Sequence, residues 1–440
     1  MTATEQSAGA RRSIGLFTAA NLIVASMVGT GVFTTSGFLV ADIRSKTAVL
    51  VAWVVGGVLA LFGGLAYAEL GAAFPGNGGE YQLLSRIYHP VVGFLAGWTS
   101  LVIGFSAPIA AYGIGFAKYL GQLFPGLPEI PVAIALVVVM SAIHSLKVET
   151  STRWQDALTY GKLALIVVFC AAGLFSAEHF IGEPMPVALG EATLSGPFAT
   201  GLIWISFSYS GWNAASYIAG ELKDPAKNLP RAVILGTLLV TVLYTWLNWV
   251  FLDAAPAAEI AGKVEVAHIA ARHLFGDAAS KMIAVVIALG LLSTTGAMIM
   301  TGPRVLEAMG TDYPRLGTFA ERSGGRGPVK AIVVQGTLAV VFVVTASFDA
   351  LVSAVGFVLS LWCLLTVLGV FVLRLREPTL ARPYKTLGYP VTPLLFIALS
   401  VWMIGHQVLE KPVIAAYGAG AVATGLLLYG WAKQGTARSG

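Results

Sequence analysis

Eleven stretches without a single charged residue set the terms for this chain: Ser13–Ala41, Thr47–Ala68, Pro90–Ala117, Ile130–Leu146, Ala192–Gly220, Ala232–Leu252, Met282–Pro303, Ala331–Phe348, Ala350–Leu373, Thr386–Leu409 and Pro412–Ala432. Each approaches or exceeds the ~20 residues that a helix needs to cross a hydrocarbon core. A shorter run, Leu163–Ala177, reaches that length only if Lys162 and the residues 157–161 join it. The reading is therefore an all-α integral membrane protein with twelve transmembrane helices. A soluble fold is excluded on composition as well: 11% of the 440 residues are charged, where soluble domains carry about 25%.

Charge placement orients the chain. With the N-terminus inside, nineteen of the 27 Lys and Arg fall on the inner side, among them Arg11, Arg12, Lys227, Arg231, Arg374 and Lys433. Seven fall outside, including Arg44, Lys46, Lys263 and Lys411, and Lys162 lies within a span. This asymmetry predicts both termini in the cytoplasm and accounts for the net charge of +5 without nucleic acid. The polar first ten residues and the long apolar run behind them do not form a signal peptide. Cys170 and Cys363 both fall inside predicted helices, so they read as packing residues, and no outer-loop Cys is present to link a partner subunit by a disulfide.

Two spans interrupt themselves. The first carries SMVGTGVF (26–33), and the sixth carries SYSGWN (208–213). Five spans apart, they enter the bilayer from opposite sides, and paired interruptions in two halves point to an inverted-repeat transporter. The expected layout is a cytoplasmic tail over 1–12, a first repeat over 13–176, an outer loop over 177–197 and a second repeat over 198–374. The two remaining helices occupy 386–433, and a cytoplasmic tail occupies 434–440. Opened backbone within a membrane is tolerated where protein or a water-lined cavity satisfies it. A zwitterion does so, with its carboxylate on the N–H groups that start a half-helix and its ammonium on free carbonyls. Small residues also mark tight helix packing, and that alternative stands beside the ligand reading. On this reading Gly29 and Gly31 allow close approach, Thr30 adds a hydroxyl, Ser210 and Gly211 form the unwound turn, and Phe207, Tyr209 and Trp212 supply walls or a gate.

Lys162 is the basic residue well inside a span. At mid-membrane its ammonium costs at least ~2.5 kcal/mol. Either it faces polar partners in the bundle or it snorkels to the inner interface. Glu69 and Glu221 end their helices near the inner face, where they are expected to pair with Arg231 or Lys223 or to be solvated. His144 and His406 read as structural residues near helix ends, and Trp53, Trp98, Trp246, Trp249, Trp402 and Trp431 as interface anchors or packing. Val264–Leu274 is amphipathic and is expected as an outer surface helix. No phosphate-binding loop, metal-ligand cluster or nucleophile–base grouping occurs, so no cofactor and no enzymatic activity are expected. No acidic side chain reads as placed in the core to meet a cationic substrate.

These interruptions resemble those of the amino acid–polyamine–organocation transporters. SMVGTGVF is similar to the G-S-G-I-F break of their first helix. FSYSGWNAASYIAGELKDPAKNLPRA (207–232) resembles the Y-x-G-W-N…P-R-A segment of the L-type amino acid transporter branch. YAELGAAFPGNGGEYQLL (67–84), RWQDALTYGKL (153–163) and RPYKTLGYPVTPLLF (382–396) extend the likeness over nearly the whole chain. The resemblance implies twelve helices with a five-plus-five inverted repeat and movement of amino acids by alternating access, as exchanger or proton-coupled symporter. It places the substrate carboxylate on Val28, Gly29, Thr30 and Gly31 and the amino group on carbonyls of Phe207, Ser208 and Tyr209, with Phe207 closing the site from outside. It also implies a coupling role for Lys162 beside the hydroxyls of Ser293, Thr294 and Thr295. Thr30 departs from the usual Ser and Ser210 from a common Gly, which narrows the pocket. Neutral amino acids are the expected cargo. A polyamine or cationic amino acid permease and a non-transporting membrane sensor are the alternatives.

Overall fold

The computed structural model describes residues 14–29, 31–74, 79–145, 152–175, 179–212, 222–320 and 328–434, without the side chains of 152–160 and 162. Thr30, Asn213 and Glu221 and the Lys162 side chain, all named above, lie outside this set. Helices account for nearly all of it. Among the described residues, eight stretches are long and apolar enough to cross a membrane: Leu16–Thr34, Lys46–Ala73, Pro90–Gly121, Pro225–Ala254, Val266–Asp312, Phe348–Arg376, Val391–Glu410 and Pro412–Lys433. Shorter apolar helices occupy Glu129–Ser145, Leu163–Gly173, Val329–Thr345 and Gly196–Ser208.

Local chemistry starts these helices where the chain must turn. Ser45 accepts from Ala48 N, His89 Nδ1 accepts from Val91 N, and Ser195 accepts from Phe198 N. Each side chain thus satisfies one of the orphaned amides of a first turn. Pro90, Pro225 and Pro412 stand at first helical positions, where a missing N–H costs nothing.

The interior is one continuous apolar core in which the interrupted Leu16–Met27 and Gly196–Ser208 helices are buried. Helices Lys46–Ala73, Pro225–Ala254 and Phe348–Arg376 pack around them. Trp53, expected as an anchor or packing residue, is fully buried. The 264–274 segment differs from the surface helix expected of it. Val266–Ala271 are buried, His268 among them with Nδ1 3.1 Å from Ser280 O, and Gly276 (φ 78°) kinks the chain into the following span. His144 Nδ1 pairs with Met140 O at 2.8 Å, a local structural contact.

Candidate functional site

The Leu16–Met27 helix stops because its ladder collapses to a short turn: Val28 N donates to Val24 O at 2.8 Å, and Gly29 N donates to Met27 O at 2.7 Å. Helical structure resumes at Gly31–Thr34. The Tyr244 hydroxyl donates to Met27 O at 2.6 Å, so the interruption is braced by a neighbouring helix. On the restarted side, Gly31 O accepts from Thr35 Oγ1 at 2.9 Å and from Thr34 Oγ1 at 3.2 Å.

The second interruption meets the first. The Gly196–Ser208 helix ends at Tyr209, Ser210 N donates to Phe207 O at 3.1 Å, and Gly211 adopts φ +113°. A Cβ at Gly211 would lie 2.5 Å from Ser26 O and 2.9 Å from Met27 N. A Cβ at Gly31 would lie 2.7 Å from Ser208 Oγ and 3.0 Å from Ser208 Cα. Glycine is required at Gly211 both for the left-handed backbone and for the approach of one break to the other. The Ser208 hydroxyl also sits 3.3 Å from Thr35 Oγ1, a polar link between the two broken helices.

Each aromatic of this stretch has its own direction. Phe207 is buried and packs against Tyr112, with ring centroids 6.2 Å apart. One turn outward, Trp204 donates to Ser353 Oγ, packs edge-on to Phe38 at 5.7 Å and lies under Lys411 Nζ at 4.2 Å. Tyr209 points away, donating to Trp53 O at 3.0 Å within a cluster of Trp53 and Tyr244. Trp212 packs edge-on to Tyr67 at 4.8 Å.

Two cavities flank the second interruption. One, of about 80 Å³, is lined by Phe207, Ser210, Ser100, Gly104, Trp362 and Glu80, among others. The other, of about 20 Å³, is lined by Ser206, Tyr209, Trp212, Ser360 and Cys363, among others. The structure thus brings together Val28, Gly29, Gly31 and Phe207 through Trp212. It does not bring Ser293 or Thr294 to either cavity lining among the described residues. Both are half-buried on the Val266–Asp312 helix, where Thr294 Oγ1 and Thr295 Oγ1 donate to Gly290 O and Leu291 O of their own helix.

Two sequence readings are corrected here. Glu69 pairs with neither Arg231 nor Lys223. Its buried carboxylate is held by Arg374 (Nη2–Oε2 2.7 Å, Nε–Oε1 3.0 Å), by Arg382 at 3.5 Å and by Thr386 N and Oγ1, both at 2.7 Å. Over three hundred residues separate these partners, beyond any local pattern. An acidic side chain does reach the core: Glu80, which follows Gly79 (φ 53°), lines the larger cavity. Its only sequence signal was the GGEY motif, which lies in a segment assigned to an inner loop.

An amino acid permease family model matches residues 14–428. The chain is 32% identical over 410 residues to the serine/threonine exchanger SteT of Bacillus subtilis, covering 91% of this chain and 92% of that protein. It is 30% identical to the human large neutral amino acids transporter small subunit 2, over 95% of this chain and 80% of that one. It is 28% identical to the human b(0,+)-type amino acid transporter 1, over 96% and 90% respectively.

Proposed function

This chain belongs to the amino acid permease family, and from that premise we propose that it carries neutral L-amino acids across the cytoplasmic membrane by alternating access. The observation that supports this reading most directly is the meeting of the two helix interruptions, Gly31 against Ser208 and Gly211 against Met27. Opened backbone from both breaks is concentrated at one buried place beside a cavity. There the start of the Gly31–Thr34 segment offers N–H groups to a carboxylate, and the carbonyls of Phe207, Ser208 and Tyr209 accept from an ammonium. Phe207 is the outer gate, and Trp212, held against Tyr67, is the inner wall.

The finer architecture belongs to the same proposal. Twelve spans form a five-plus-five inverted repeat over 13–176 and 198–374, with two added helices over 386–433 and both tails in the cytoplasm. Thr30 adds a hydroxyl to the carboxylate site. Lys162 serves coupling, with Ser293 and Thr294 as hydroxyls on the facing helix, and the carrier works as an exchanger or a proton symporter without a disulfide-linked subunit. Relatives bearing exchanger and neutral-transporter names support exchange of neutral cargo.

The test is counterflow in proteoliposomes with a panel of labelled amino acids and diamines. Uptake of neutral amino acids into preloaded vesicles alone is the exchanger outcome. Accumulation in empty vesicles under an inward proton gradient is the symporter outcome. Uptake of diamines in place of neutral amino acids, or binding without movement, would overturn the proposal.

A further inference from the structure

Glu80 is the one ionisable group among the described residues lining the 80 Å³ cavity. Its position is fixed from the direction of the broken helix. Tyr67 O–H donates to Glu80 Oε1 at 2.6 Å, and the Cys363 thiol lies 3.7 Å from the same oxygen. The Tyr67 ring in turn packs edge-on to Trp212, two residues beyond Ser210. A carboxylate offers about four acceptor sites, and one tyrosine hydroxyl and a weak thiol donor do not exhaust them.

The opposite walls are also informative. Ser100 and Gly104 come from a π-helical segment, Ser100–Phe105, and such segments occur often at functional sites. Beyond Ser100, Ser210 and Glu80 the lining is chiefly apolar, with Phe207, Met298, Val355 and Trp362. The cavity therefore offers a carboxylate acceptor in apolar surroundings at a short reach from the opened backbone. Its volume of about 80 Å³ suits a short side chain and not the extended chains of lysine or arginine.

We propose that Glu80 is a specificity residue that accepts a hydrogen bond from the hydroxyl of a short substrate side chain, so that serine and threonine are preferred over alanine and valine. This rests on the permease reading above. An apolar side chain of equal shape would strip water from the carboxylate and return no donor. A threonine hydroxyl replaces the lost water directly.

The experiment is competition for exchange of labelled L-threonine in proteoliposomes. Inhibition constants for serine, alanine, threonine, valine and lysine are measured for the wild type, Glu80→Ala and the isosteric Glu80→Gln. Each variant is read as its valine-to-threonine and alanine-to-serine ratios, which do not depend on how much protein reconstitutes. Hydrogen bonds to charged groups are strong enough for a wild-type preference of at least about tenfold. That ratio should fall to near one in Glu80→Ala and to an intermediate value in Glu80→Gln. Unchanged ratios in the variants, or a wild-type ratio near one, would overturn the inference and leave the permease reading standing. So would lysine outcompeting threonine in the wild type and losing that advantage in Glu80→Gln, since Glu80 would then be an ion-pair partner. Failure of the wild type to exchange any amino acid would overturn the permease reading, and this inference with it.

Discussion

The two ends of the Lys46–Ala73 helix each bury a charge, and they hold it in different ways. Lys46, its first residue, is 1% exposed, and its ammonium donates to Phe180 O at 2.8 Å and Ala255 O at 3.0 Å and pairs with Glu183 at 3.0 Å. Glu69, near the other end, is 2% exposed and is held by two arginines and Thr386. Both charges have the wrong sign for their ends of the helix, because the helix dipole is positive at its start and negative at its finish. Neither is there for the helix's own benefit, so tertiary partners must hold both. The outer partners are two carbonyls and a carboxylate that is 31% exposed. The inner ones form a bidentate, buried pair with two further donors. The outer lock can hand its groups back to water when it opens, whereas the inner lock cannot open without stranding a charge.

That contrast orders the expected effects of substitution. Arg374→Ala leaves the Glu69 carboxylate buried without its bidentate partner and should cost about 3–5 kcal/mol, read as a loss of thermal stability in detergent. A loss no larger than that of Lys46→Met would break the comparison. Lys46→Met keeps the aliphatic stem and removes the ammonium, and should cost about 2 kcal/mol, since the freed carbonyls and Glu183 reach solvent. Thr386→Val removes one hydroxyl and keeps the backbone N–H, for about 1 kcal/mol. Glu183→Gln should be the mildest, about 0.5 kcal/mol, as for a part-exposed pair.

The Glu183 lock also carries a pH signature. The Ala257 N–H that donates to its carboxylate, followed by Lys46, holds its pKa below the ordinary 4.5. A depressed folded pKa contributes stability that is present above the unfolded value and is lost as pH falls through the folded one. The stability difference between the wild type and Glu183→Gln should therefore be constant near neutrality and shrink as pH drops below about 4.5. A difference that persists unchanged through that range would remove the carboxylate from the lock.

Much of this molecule was legible before any coordinates. Charge-free runs announce the spans because the bilayer penalises charge. SMVGTGVF and SYSGWN announce the interruptions because glycine and serine at mid-span serve no lipid contact. What stayed hidden depends on pairing at long range. Lys46 read as an ordinary outer-loop cation because nothing nearby in sequence reveals Phe180 or Ala255 as its partners. Glu80 read as loop because its neighbours are polar, although its Tyr67 contact draws it to the cavity. The pairing of Glu69 with Arg374 spans 305 positions, and no periodicity reports such a contact.

These separations also bear on how the protein is made. Lys46 waits for carbonyls 134 and 209 residues downstream, and Glu69 for groups 305 and 317 residues downstream. During synthesis the second span must therefore dwell in the translocation machinery or the lipid headgroups with both end charges unmet. Its final depth is set only once the tenth span and the segment after it have emerged. Truncation anywhere before Arg374 should leave this helix shallow and open to proteolysis at its ends, which makes the inner lock a marker of completed assembly.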